Sequence, residues 1–173
     1  MCITFKSFQA TMAYLFLLIL SLTYPKVGYA SSPQPQVIGW IEKVHLVDHN
    51  VVLHAKIDTG SDGVSLHCQC KYFQRDGKTW VRFELDKEDR RILVEAKVKR
   101  FVNIRKHEGK IQKRPIIEML LCLGEQQAKV DVNLVDRQGF NYAMLVGRSF
   151  LAGRFLVDTE KTLLTTLHCV TVK

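Results

Sequence analysis

Apolar and polar positions alternate along most of this chain. From Trp80 to Leu85, Val81, Phe83 and Leu85 fall on one face while Arg82 and Glu84 fall on the other. Ile92, Val94, Ala96 and Val98 repeat the pattern after a charged turn at Asp86 to Arg90. Period two of this kind predicts half-buried strands. Further strands are predicted over Val37 to Val47 and Val51 to Ile57, joined by the turn-forming Asp48-His49-Asn50. Ile116 to Leu123 and Ala128 to Val135 flank Gly124-Glu125-Gln126-Gln127 as a hairpin. Ala143 to Val146 is a short continuous apolar run, the signature of a strand covered on both faces. Ser149 to Gly153 has room for one helical turn, and Phe155 to Val157 and Leu163 to Leu167 close the pattern. Beyond residue 30, no stretch of 12 or more residues shows a 3.6-residue period. The prediction is an all-β domain, closed or nearly closed into a barrel.

The first 30 residues break this pattern. Lys6 precedes the apolar run Ala13 to Leu22, and Gly28-Tyr29-Ala30 places small residues where a signal peptidase would cut. About ten apolar residues fall short of the roughly 20 that span a bilayer. Residues 1–30 are therefore read as an export signal, cleaved or left as an anchor, and the expected location is the periplasm. Ser31 to Gln36, with two prolines, reads as a linker, and 37–173 as one domain.

The whole chain has 25 basic and 17 acidic residues, a formal charge of +8. The signal takes Lys6 and Lys26 with it and no acid, which leaves +6. Much of the surplus sits between Lys97 and Arg114, opposed only by Glu108. In an exported protein such a segment suits an anionic envelope or membrane surface or an acidic peptide better than nucleic acid. A solvated hairpin rim is the simpler reading and is the preferred one. Cys68, Cys70, Cys122 and Cys169 remain after the signal. They allow two disulfides or free thiols, and any bridge is expected to join Cys68 or Cys70 to a distant partner rather than to each other.

Candidate chemistry begins at Asp58-Thr59-Gly60, at the end of the strand Val51 to Ile57. A carboxylate before a hydroxyl residue and a glycine presents an acid on a tight loop that a second carboxylate can approach. Two such acids share one proton, so one can activate water while the other protonates the leaving group. About 85 residues later, Met144-Leu145-Val146 runs into Gly147-Arg148. Together these stretches resemble the retropepsin-like aspartic peptidases, and among them a bacterial branch, the RimK-associated proteases, that carries the label "ATP-dependent zinc protease". The resemblance extends through Ala55 to Ser61, Ser65-Leu66-His67, Arg114-Pro115-Ile116-Ile117, Asp136-Arg137, Tyr142 to Arg148 and Leu156-Val157-Asp158.

The resemblance implies a role for each matching residue. Asp58 would be the catalytic carboxylate. Thr59 would reach across a dimer axis, and Gly60 would let the loop pass close beneath substrate. Ser61 would hold the carboxylate by a hydrogen bond. Leu145 to Gly147 would form a strand crossing behind the loop, and Arg148 would start a short helix and pair with Asp62. His67 and Arg114 would lie on the substrate side, against an extended, acidic peptide. The branch often carries a basic residue in place of Asp62, and a proline in place of Ala143. With one such tripeptide per chain, the second acid must come from a second copy, giving a homodimer. A flap over the substrate is expected either from the hairpin within Val81 to Ile104 or from the loop Arg105 to Arg114.

Other chemistry finds less support. His45, His49, His54, His67, Cys68 and Cys70 include no His-Glu-x-x-His and no Cys-x-x-Cys, although His67-Cys68-Gln69-Cys70 could supply two or three ligands. No cofactor is expected. Ser149 lacks the following glycine of a nucleophile elbow, and no glycine-rich phosphate loop is present. The remaining rival is a non-catalytic module that binds peptide or regulates a partner within the same frame.

Overall fold

Strands with one apolar face must bury it, and here ten of the twelve described strands do so around a shared core. The structure is a computed structural model and describes residues 34–87, 90–105 and 109–169. The expected export signal, residues 1–30, lies outside the described residues, as does the first half of the expected linker. The strands are β1 (Gln36–Gly39), β2 (Ile41–Leu46), β3 (Val51–Ile57), β4 (Val64–His67), β5 (Lys71–Arg75) and β6 (Lys78–Lys87). They continue with β7 (Arg90–Lys97), β8 (Arg100–Arg105), β9 (Ile111–Leu123), β10 (Gln126–Val135), β11 (Met144–Val146) and β12 (Phe155–Asp158). One short helix, α1 (Arg148–Leu151), follows β11.

Seven strands form the main sheet in the order β10-β4-β11-β3-β2-β9-β8. β10 also pairs with β9, along Gln126↔Leu123 to Asn133↔Ile116, so the sheet returns on itself as a ring. Val44, Leu46, Val51, Leu66, Leu121, Leu134 and Met144 point into it and are fully or almost fully buried. β5, β6 and β7 make a separate three-stranded sheet. Its Val81, Phe83, Leu85 and Val94 join the same core, so the period-two face read in the sequence is the buried one. α1 contributes Phe150, fully buried and stacked on Phe155 at 5.9 Å between ring centroids.

Several predicted boundaries move, each for a tertiary reason. The predicted strand Val37 to Val47 is interrupted at Trp40. β1 leaves the main sheet and pairs in parallel with β12, while β2 pairs antiparallel with β3. Asp48-His49-Asn50 does turn the chain, through a 3-10 turn at Val47–His49 that ends on Asn50 in the left-handed region (φ 50°). Arg105 to Arg114 is not all loop, because β9 has begun by Ile111 and pairs with β8. Lys99 is paired to Glu118 (3.1 Å) and Asp131 (2.6 Å), and Arg100 also meets Asp131, so acids from β9 and β10 neutralise part of the basic segment. Leu163 to Leu167 forms no strand: the Leu163 amide bonds to the Ile41 carbonyl of β2, but the next two amides turn to the Glu42 carboxylate instead of continuing along the strand.

The disulfide expectation is corrected. Cys68 is bonded to Cys70, and Cys122 to Cys169. The chain turns between β4 and β5, which brings the Cα atoms of Cys68 and Cys70 to 5.0 Å, within the range a bridge spans. Sequence spacing could not reveal that turn.

Phe150 is the largest fully buried side chain and ties α1 to the strands. Phe150→Ala is expected to lower unfolding stability by about 3–5 kcal/mol, measured by urea denaturation at constant m-value.

Candidate active site

β3 delivers Asp58 to the surface, and β11 fixes it from behind. The Asp58 amide donates to the Val146 carbonyl (2.9 Å) just where β3 and β11 finish their parallel pairing at Ile57↔Val146. The loop then closes on itself, with the Ser61 amide donating to the Asp58 carbonyl (3.2 Å). The Gly60 amide donates to Asp58 Oδ1 (3.0 Å) and sets the direction of the carboxylate. Thr59 and Gly60 are exposed and Asp58 is half-buried, so the acid faces outward from a fixed loop.

Gly147 has no room for a side chain. A Cβ there would collide with the backbone carbonyls of Gly63 and Ser61. Immediately beyond it, the Arg148 amide donates to the Ser61 carbonyl (2.9 Å) and the Ser149 amide to the Asp62 carbonyl (2.8 Å). The Arg148 side chain then wraps the outside of the loop. Its Nη1 donates to the Thr59 carbonyl (2.8 Å), and its Nη2 pairs with the Asp62 carboxylate. Leu145, half-buried, lies in register with Lys56 of β3 and Ser65 of β4. One residue departs from its expected contact. The Ser61 hydroxyl donates to the Gly63 carbonyl (3.3 Å) rather than to the acid, and the Gly60 amide takes that part.

Two arginines are electrostatically linked to this corner: Arg137 feels the Asp58 charge, and Arg114 acts on Arg137. Arg137, just after β10, donates through Nε to the Tyr142 carbonyl (3.0 Å) and through Nη1 to Ser65 Oγ (3.2 Å), and it lies over the Phe140 ring. Arg114, on β9, donates to Gln112 Oε1 (3.0 Å) and Asn133 Oδ1 (3.2 Å). Burial pulls the Arg137 guanidinium below its usual range; repulsion from Arg114 adds to this, and attraction to Asp58 opposes it. Burial does the same to Arg114. Both stay charged at any ordinary pH. Among the described residues, no carboxylate forms a salt bridge with either. The sequence shows Arg137 only as part of a matching stretch, since its approach to Asp58 depends on how β10 ends.

His67 supports this corner rather than Asp58 directly. Its Nδ1 accepts the Arg137 amide (2.9 Å) and lies 3.6 Å from Asp136. The His67-Cys68-Gln69-Cys70 stretch offers no thiolate to a metal, because both sulfurs are in a disulfide. Among the described residues, no group of three or more His, Cys, Asp or Glu is arranged to hold a metal ion. A groove of about 480 Å³ opens beside the loop, lined by Trp40, Thr59, Arg148, Leu151, Leu156 and Val157 among others.

A β-ring with an Asp-Thr-Gly loop backed by a Gly-Arg strand end is the frame of the retropepsin-like peptidases. The profile of the RimB-like family, described as retropepsin-like aspartic endopeptidase RimB, matches residues 37–167, and the chain belongs to this family. A crystal structure of a Legionella pneumophila protein of unknown function superposes with a TM-score of 0.65 at 29% identity, covering 77% of this chain and all of that one. Among curated proteins, a probable alpha-L-glutamate ligase of Shewanella halifaxensis is 33% identical over 115 residues, 64% of this chain and 25% of the ligase. Another, from Parasynechococcus marenigrum, is 34% identical over 113 residues, 62% of this chain and 24% of the ligase. The chain thus spans about a quarter of the length of the curated relatives it matches.

Gly147→Ala is expected to push β11 off the Asp58 loop. Overpacking of this kind costs about 1–3 kcal/mol. Thermal melting should register the loss, and hydrogen exchange at the Asp58 and Arg148 amides should quicken well beyond that of the β9–β10 ladder.

Proposed function

We propose that the chain is an aspartic endopeptidase whose site forms when two copies bring their Asp58 residues together. The observation that carries this reading is the Asp58 carboxylate itself, fixed by the Gly60 amide on an exposed loop that β11 holds from behind. A lone carboxylate there has no acid partner. With a second one close by, repulsion keeps one proton between them. The ionised acid then takes a proton from water as that water attacks the scissile carbonyl, and the protonated acid delivers its own to the leaving amine. In this reading Thr59, exposed at the loop tip, reaches toward its counterpart across the two-fold axis. Asp62 and Arg148 brace the loop from outside.

The substrate in this proposal is an extended peptide bearing carboxylates beside the scissile bond. Arg114 and Arg137 support it. Two half-buried guanidiniums that repel each other and, among the described residues, form no salt bridge with a carboxylate are stabilised by an incoming anion. The longer relatives, named as probable alpha-L-glutamate ligases, point the same way. A domain carried within enzymes named for joining glutamate is well placed to hydrolyse a peptide bond next to glutamate. Export through residues 1–30, and peripheral contact with an anionic envelope surface through the basic β8–β9 rim, complete the proposal. No nucleic acid and no cofactor are required.

Cleavage of a diverse peptide mixture, read by mass spectrometry from pH 4 to 8, tests the reading. Activity should follow a bell-shaped pH profile, ignore a metal chelator and fall at least ~10³-fold in Asp58→Ala. Loss of activity to the chelator, or survival in Asp58→Ala, would overturn the dyad. Absence of cutting by folded dimer would favour a peptide-binding module. Arg137→Met and Arg114→Met should each lower kcat/KM on glutamate-containing peptides by about 10–100-fold while sparing neutral ones, the range of a lost charge-assisted hydrogen bond. An equal fall on both substrate kinds would mean that the arginines serve structure instead.

A further inference from the structure

The last described stretch, Thr159 to Cys169, has neither helix nor strand, yet it is pinned at both ends. At its start, the Trp40 amide donates to the Lys161 carbonyl (2.9 Å) and the Leu163 amide to the Ile41 carbonyl (2.8 Å). At its far end, the His168 amide donates to the Gly124 carbonyl (2.9 Å), and Cys169 is bonded to fully buried Cys122 of β9. Between them lies the Glu42 carboxylate, with no exposed surface. It accepts the amides of Leu164 (2.9 Å) and Thr165 (3.3 Å) and the Thr165 hydroxyl (2.9 Å). Its remaining donor is the Gly39 amide (2.6 Å). Three of its four donors therefore come from the strap, and a buried carboxylate stripped of them must be rehydrated.

The strap also reaches the catalytic loop through one residue. The Trp40 amide is held by the strap, its carbonyl accepts the Ile57 amide (2.9 Å), and Ile57 precedes Asp58. The Trp40 side chain lines the groove that Thr59 and Arg148 share. Gly39 lies so close beneath the strap that a Cβ would stand 2.8 Å from Thr162 Cα. Eleven irregular residues lose much conformational entropy on docking. The Cys122–Cys169 bond offsets that loss by keeping the strap near Glu42 when its hydrogen bonds open.

We propose that Thr159 to Cys169 is a redox-locked strap: the Cys122–Cys169 disulfide holds it on Glu42 and Trp40, and reduction by a dithiol releases it and loosens the support of the Asp58 loop. In the reduction, a reductant thiolate attacks half-buried Cys169 Sγ and Cys122 leaves as a thiolate. The second reductant thiol then displaces Cys169. Two electrons pass to the protein, both cysteines end as thiols, and the reductant ends as a disulfide. The effect on catalysis rests on the peptidase reading; the opening of the strap does not.

Hydrogen exchange by mass spectrometry on the full chain, before and after dithiothreitol, tests the proposal, with alkylation confirming that Cys122 and Cys169 are reduced. Cys169→Ser, which leaves Cys68–Cys70 in place, separates the two bridges. Gly39→Ala wedges the strap while the disulfide stays closed. Reduction and Cys169→Ser should speed exchange at Leu164, Thr165 and Trp40 at least tenfold, with Ile57 following. Gly39→Ala should reproduce the change at Trp40 and Ile57. Peptide cleavage should fall at least tenfold in parallel. Unchanged protection at Leu164 and Thr165 in fully reduced protein overturns the strap, and faster exchange there with Ile57 unaffected overturns its link to the loop. A chain that cuts nothing in either redox state refutes the peptidase reading and leaves the exchange result to decide the strap. Should Cys169→Ser not fold, the reduced native chain and Gly39→Ala carry the same decision.

Discussion

Everything at this site depends on one close crossing of two backbones. Residues 58–63 and 146–149 are joined by hydrogen bonds from the amides of Asp58, Arg148 and Ser149, at 2.8 to 2.9 Å. The crossing is possible because Gly147 has no Cβ to strike the carbonyls of Ser61 and Gly63. An exposed loop would ordinarily sample many directions. Here its amides and carbonyls are committed to a neighbouring strand, so the carboxylate is oriented before anything binds, and preorganisation of this kind is what acid–base chemistry at a fixed point requires.

Charge around the loop is divided into two tasks. Arg148 on the outside is satisfied, with Asp62 and the Thr59 carbonyl as partners, and its role is mechanical. Arg114 and Arg137 spend their hydrogen bonds on neutral acceptors. A guanidinium paired with a carboxylate has little to offer a substrate. One held only by carbonyl, amide and hydroxyl oxygens keeps its net charge available. The basic β8–β9 rim differs again, since Lys99 and Arg100 are already neutralised by Glu118 and Asp131.

The floor beneath the loop is held by another acid, Glu42, which is fully buried. Glu42 makes no contact with the site. It gathers amides from a segment more than 120 residues away and thereby fixes Trp40. Asp58 and Glu42 thus differ in exposure and in the donors around them: one faces outward on a loop, and the other is enclosed by backbone amides.

Alternation along Val81 to Leu85 and Ile92 to Val98 gave the strands and their buried faces, because period two is a local property of the pleated chain. Asp58-Thr59-Gly60 and Leu145 to Arg148 were legible for a related reason: a tight acid-bearing loop and a side-chain-free crossing each demand particular residues in order. Arg137, Glu42 and the Cys68–Cys70 bridge were not legible as functional or structural partners. Their significance lies in what they meet, and those meetings join residues distant in sequence or depend on a turn that has no periodic signature. The break at Trp40 and the irregular strap have the same origin. By itself the sequence determined the all-β character, the buried faces of the alternating strands and which tripeptide carries the acid; only the tertiary structure decided how the strands pair and which charge acts on that acid, because hydrogen bonds and Coulomb forces act across space while periodicity acts along the chain.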